Sequence, residues 1–171
     1  YINNNTCYVF DYDKDYTDHA NKMGIKSVFG GLDEALSHND KPDLVILSHV
    51  IEHWNNFELE LTKLSNLLGE NSIAYLETPG LDSLKDGRRN SDILGEIQVA
   101  HKYYFTSKVL KNILENFGFE VLFIDSQIRA IVRVNKKLKI KNKNFFVNSM
   151  FNIFLAEIRR SLSIYKKKLL K

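Results

Sequence analysis

The segment PDLVILSHVIEHWNNFELELTKLSNLLGENSIAYLETPGLDSL, residues 42–84, decides the architecture of this chain. Its two apolar runs, DLVILS (43–48) and IAYLET (73–78), have strand length and are apolar at successive positions. That pattern belongs to strands buried on both faces, which are usually covered by helices on either side. Between them Phe57, Leu61, Leu64 and Leu68 repeat at the spacing of one helix face. Asn55 or Asn56 offers the N-cap, and Gly69 stands at the C-terminal stop.

Working outward, YVF (8–10), SVF (27–29), EVLFI (120–124) and AIVRV (130–134) read as further strands. Residues 14–23 predict a helix ending at Gly24. Thr106 caps a second helix through Leu110, Ile113, Leu114 and Phe117, which Gly118 closes. Strand and helix alternate in the order of a doubly wound, mostly parallel α/β sheet. Residues 79–104 carry no sustained periodicity, and a long loop after a buried strand is usually functional.

Charge divides the chain. Residues 1–128 hold 11 Lys/Arg against 20 Asp/Glu, and residues 129–171 hold 13 against one. We expect an α/β domain over 1–134, a lysine-rich linker over 135–144 and a basic amphipathic helix over 145–171. Phe151, Leu155, Ile158, Leu162, Tyr165 and Leu169 line the apolar stripe of that tail. The tail suits its own domain, a partner protein or an anionic membrane surface. An acidic body disfavours nucleic acid. Cys7 is the single cysteine, which excludes a disulfide framework and favours a reducing, cytoplasmic setting, with peripheral membrane contact open. No apolar run reaches the ~20 residues of a membrane-spanning helix.

HVIEHW (49–54) matches the H-x-x-E-H pattern of inverted zinc proteases. There a helix turns both imidazoles toward one metal. His49 follows directly on a strand, however, where a separation of four does not put two side chains on one face. The zinc reading is therefore set aside, and no metal site is expected.

Taken whole, residues 42–84 resemble the central portion of class I S-adenosylmethionine-dependent methyltransferases. The shared pieces are a buried strand opened by Asp43, the stretch Ser48 to His53, a Leu-rich helix, Gly69, and a second strand closing in Glu77-Thr78-Pro79-Gly80. AHKYYFTSKVLKNILENFGFEVL (100–122) resembles the family's later segment, and CYVFDYDKDYTDHANKMGI (7–25) its second strand and helix. The similarity spans about residues 8–134. It implies a Rossmann-like fold and S-adenosylmethionine as cofactor.

It also implies roles for particular residues. Asp11, at a strand tip, would accept hydrogen bonds from the ribose hydroxyls, with Tyr12 beside the adenine. Gly31 and Leu32 would contact the adenine, Gly31 through its backbone. Ser48 and His49 would border the methionine part. His53 and His101 are the candidate proton acceptors, since an unperturbed imidazole titrates near ~6.5. Glu52 would orient His53 or begin the following helix. The acceptor would be a small molecule, a sugar or a lipid-linked intermediate.

The family's first strand and Gly-rich turn have no counterpart. Ten residues precede Asp11, and a parallel crossover alone takes a dozen or more. We therefore expect an N-terminally truncated domain, either a piece of a longer chain or a member that needs a partner. Two interior strand edges would be left unpaired or forced together, and the 171 residues alone would bind the cofactor weakly or not at all. Asp11 and residues 48–53 are still expected at the tips of strands in a common sheet. A non-catalytic binding or scaffolding module is the second reading, and a dinucleotide dehydrogenase a distant third.

Overall fold

The computed structural model describes residues 6–38, 41–84, 92, 94, 97–135, 158–163 and 165–166. In chain order they form β1 (Tyr8–Asp11), α1 (Lys14–Lys22), β2 (Lys26–Phe29), α2 (Leu32–Leu36), β3 (Leu44–Ser48), a 3-10 turn (Ile51–His53), α3 (Phe57–Leu67) and β4 (Ile73–Glu77). A second 3-10 turn (Leu81–Leu84), α4 (Ser107–Asn116), β5 (Phe119–Ile124) and β6 (Arg129–Val134) follow. The strands match the apolar runs to within a residue.

Local chemistry sets the helix ends. The Asn56 side chain accepts from the Leu59 N–H at 3.1 Å, which selects Asn56 over Asn55 as the cap of α3. Thr106 caps α4 through the Val109 N–H. Gly118 follows α4 at φ +80°, a conformation that costs glycine little. α2 is the element without a forecast: LDEAL is too short to show a period.

Pairing is parallel between β1 and β2 and between β3 and β4, and antiparallel from β4 to β6 and from β6 to β5. The strands divide into a two-stranded sheet, β1-β2, and a four-stranded sheet, β3-β4-β6-β5. This corrects the expectation that the Asp11 strand and the Ser48 strand share one sheet. No described strand lies between β1 and β3, so each keeps one edge without a ladder among the described residues. The expectation of helices on both faces of β3 is also corrected. Leu47 is buried and Val45 packs on the core, but Leu44 and Ile46, on the alternate face, are 55% and 62% exposed.

The two sheets are joined through side chains. Phe10 of β1 and Leu32, Ala35 and Leu36 of α2 belong to the same apolar core as Leu47, Leu61, Leu64 and Leu76. Fully burying each such leucine stabilises the fold by about 1.5–3 kcal/mol. Lys63 of α3 donates to Asp33 of α2 at 2.6 Å and to Glu60 at 2.8 Å. Those two carboxylates hold its ammonium above the ordinary lysine range.

The β5–β6 turn is pinned by Asp125, which accepts from the Gln127 N–H, the Arg129 N–H and the Arg129 guanidinium. Burial alone would raise the Asp125 carboxyl. The Arg129 hydrogen bonds and charge outweigh it, so the group sits below its ordinary value near 3.8. A depressed carboxyl contributes stability that is present above its unfolded pKa and lost as pH falls through the folded one. Asp125→Asn should therefore lower the thermal midpoint at neutral pH, with the gap to the parent closing between roughly pH 5 and pH 2. A gap that stays constant through that range would show that the pair contributes nothing.

Of the basic tail, residues 158–163 and 165–166 are helical, with Leu162 and Tyr165 exposed. The linker from 136 onward and the other tail positions lie outside the described residues. No helix among the described residues is long and apolar enough to cross a membrane.

Candidate functional site

β3 delivers its C-terminal end into a tight reversal. Ser48 closes the strand, its hydroxyl 3.2 Å from the Glu77 carboxylate at the end of β4. His49 then turns the chain at φ +54°, a left-handed conformation uncommon for a residue with a Cβ. Its N–H donates to the Glu77 carbonyl at 2.8 Å, extending the parallel pairing by one bond. The reversal puts Ile51 and Glu52 inside and leaves His49 and His53 at the surface.

Glu52 is the hub. Its side chain is 0% exposed, and three imidazoles surround one oxygen of it. His49 Nδ1 lies 3.3 Å from Oε1, His53 Nε2 3.9 Å and His101 Nε2 4.0 Å. Oε2 has no hydrogen-bond partner among the described residues, and neither does Nδ1 of His101. The Glu52 backbone carbonyl accepts from the Lys102 N–H at 2.8 Å and the Tyr103 N–H at 3.3 Å, so the loop is fastened to the same residue. His53 Nδ1 is 2.9 Å from the Ala100 carbonyl. A carbonyl can only accept, so Nδ1 carries the proton and Nε2 presents its lone pair. The His53 and His101 rings meet edge-on, centroids 4.9 Å apart.

Aromatic packing holds the loop in place. Phe57 contacts Trp54, Tyr103 and Phe105, with ring centroids 5.1–5.3 Å apart. Further on, buried Asp82 accepts from the Ser107 N–H at 2.7 Å and from its hydroxyl at 2.6 Å, tying the second 3-10 turn to the start of α4.

The second group of candidates lies at the tips of β1 and β2. Asp11 is half-buried, and one carboxylate oxygen accepts from the Asp13 N–H at 2.7 Å. Tyr12 is 70% exposed, with its ring edge toward Phe29. Burial first, then the charges of Glu34, Glu60 and Asp33, raise its hydroxyl, against the opposing pull of Lys63. Its hydroxyl lies 2.5 Å from where a Cβ on Gly31 would stand, so a side chain there would displace the ring. The Gly31 N–H is engaged by Glu34 at 2.7 Å, and the Leu32 side chain is buried in the core.

Sequence candidates thus fall into two sets. His49, His53 and His101 converge on Glu52, and Ser48, at the same strand end, turns to Glu77 instead. Asp11, Tyr12, Gly31 and Leu32 gather on the other sheet. The part of Glu77 in the strand-end turn, and that of Glu34 at Gly31, went unread. The signal for Glu77 was an acid at the end of a buried strand, two residues before Pro79.

A family model described as a methyltransferase domain matches residues 3–123. No curated protein matches. Among solved structures, a SAM-dependent methyltransferase from Thermotoga maritima aligns at 16% identity and a TM-score of 0.50, over 76% of this chain and 72% of that one. Human N-acetylserotonin methyltransferase, solved with SAM, aligns at 18% and 0.52 over 75% and 40%. The plantazolicin methyltransferase BpumL, solved with SAH, aligns at 17% and 0.52 over 90% and 61%. At such identities these likenesses concern the fold.

Proposed function

Because the chain belongs to the methyltransferase-domain family, we propose that the protein transfers a methyl group from S-adenosylmethionine to a small-molecule, sugar or lipid-linked acceptor. The observation that carries this reading is the imidazole rim built on buried Glu52 directly behind the tip of β3. In open α/β sheets ligands bind outside the carboxyl ends of the strands.

The residues at those ends suit the cofactor in chemistry. Asp11 keeps one carboxylate oxygen beyond its local turn, and carboxylate oxygens accept from a ribose diol. Tyr12 offers an exposed ring face. A backbone contact at Gly31 requires Glu34 to release its N–H. When bound, the cofactor supplies an already electrophilic methyl on a sulfonium. The protein's task is then to align the acceptor and, for a hydroxyl or an acidic carbon, to remove its proton. His53 Nε2, its lone pair free and its ring oriented by Ala100, takes that proton. His101 packs edge-on against His53 and holds that ring in place.

The divided sheet favours a second reading, a binding module without catalysis, and it bears on how much of the activity these residues hold. Among the described residues no ladder joins β1 to β3, so no described backbone strand bridges their tips. Residues 1–171 alone should bind S-adenosylhomocysteine weakly or not at all. Calorimetry on residues 1–171, and on the whole polypeptide that the gene encodes, tests both readings. Measurable binding by the whole polypeptide, weakened by Asp11→Ala about 10- to 100-fold as expected on losing a charged hydrogen bond, supports the enzyme. Absence of binding by the whole polypeptide supports the module.

A further inference from the structure

Two histidines, a carboxylate and their unsatisfied atoms form a donor set that the methyl-transfer reading does not use up. Glu52, His53 and His101 each offer one ligand atom within 4.8 Å of the other two. Both imidazole nitrogens stand 3.9–4.0 Å from the carboxylate oxygen, too far for a hydrogen bond. That spacing suits ligands around one ion. Bonds of ~2.0–2.2 Å to a tetrahedral cation put its donors about 3.3–3.6 Å apart, so each Nε2 needs to approach Oε1 by roughly half an ångström.

Three further observations point the same way. Glu52 is fully buried with Oε2 unpartnered among the described residues, and such a carboxylate is costly without a compensating charge. The His101 side chain is 7% exposed and has an unpartnered Nδ1. The Ala100 carbonyl fixes the His53 tautomer with Nε2 free, the arrangement in which a ligating imidazole donates its other N–H to an outer partner. His101 arrives from a loop far along the chain, so this donor set does not need the single helix face that HVIEHW alone would require.

We propose that Glu52, His53 and His101 bind a divalent first-row transition metal ion through one carboxylate oxygen and two Nε2 atoms. Two histidines and a carboxylate leave a coordination position open. If the protein is a methyltransferase, a clause that rests on the function proposed above, the open position would take the acceptor's hydroxyl, and the cation would acidify it so that its proton passes to bulk water and the remaining oxyanion takes the methyl. Binding of the metal itself does not depend on that reading.

The test uses the whole encoded polypeptide, stripped with a chelator and dialysed. Zn2+ is titrated against a chromophoric chelator, and Co2+ is followed by its visible absorption, which is intense for four-coordinate sites. One equivalent should bind. Glu52→Gln and His53→Ala should each weaken it at least ~10-fold, while His19→Ala, on exposed α1, should leave it unchanged. His53 is at the surface, so its variant should fold even if the buried Glu52 substitution does not. Circular dichroism separates the two cases. Absence of stoichiometric binding, or binding that His53→Ala leaves intact, overturns the proposal and marks the uptake as non-specific. Because the readout is metal occupancy, a failure of methyl transfer leaves this result standing, and the reverse also holds.

Discussion

His53→Ala in the whole encoded polypeptide is expected to lower methyl-transfer turnover about 10²- to 10⁴-fold, the range for removing a positioned proton acceptor. Cofactor affinity should change little. The split follows from position. His53 sits on the 3-10 turn behind β3, with its ring held by the Ala100 carbonyl and its Nε2 free, whereas the ribose-binding candidate Asp11 is on the other sheet. An interaction made only as the reaction proceeds lowers turnover without altering binding of the resting substrate. His101→Ala should lower turnover less, by loosening the ring it packs against. Equal losses in turnover and cofactor affinity for His53→Ala would assign the residue to structure.

The same substitution discriminates between the two uses of the imidazole. If His53 accepts the proton directly, chelator treatment of the parent enzyme leaves turnover intact and the variant stays impaired at any metal concentration. If it is a metal ligand, chelation reproduces the variant's loss, and excess Zn2+ partly restores the variant through the remaining two donors. Either result keeps His53 in the chemistry, and together they say which atom carries the acceptor's proton away.

Much of the scaffold was legible because its signals are local. Apolar runs located β1 to β6, and Asn56, Thr106 and Gly118 closed the helices through short-range hydrogen bonds and a left-handed φ. The division between β1 and β3 runs against the expectation of Asp11 and Ser48 in one sheet, because an apolar run marks a strand without naming its neighbour. The loop supplied the hardest part. His53 bonds to a carbonyl 47 positions away, and nothing in a period or a cap brings Ala100 there. Glu52 likewise could be read either as orienting His53 or as beginning the helix. Burial made it the hub, and burial depends on how the chain reverses after His49. Leu44 and Ile46 misled in the opposite sense, since a continuous apolar run does not reveal which face a neighbour covers.

Phe57→Ala should cost about 3–5 kcal/mol, the range for emptying a buried aromatic site. With urea slopes of ~1–3 kcal/mol/M, that moves the unfolding midpoint by about 1–5 M. The size of the effect comes from where the ring stands. Phe57 opens α3, is 8% exposed, and touches Trp54 from the rim side and Tyr103 and Phe105 from the loop side. Its removal should therefore act on the site as well as on the fold. The Lys102 and Tyr103 amides, which donate to the Glu52 carbonyl, should exchange with solvent faster than those of β4 and β6. Phe57→Leu keeps most of the volume and should cost less than ~1.5 kcal/mol. A loss below 1 kcal/mol for the alanine variant, or exchange that rises evenly across β4, β6 and the loop, would mean that the aromatic cluster does not hold His101 over Glu52. The imidazole rim would then owe its geometry to the backbone bonds from Lys102 and Tyr103 alone.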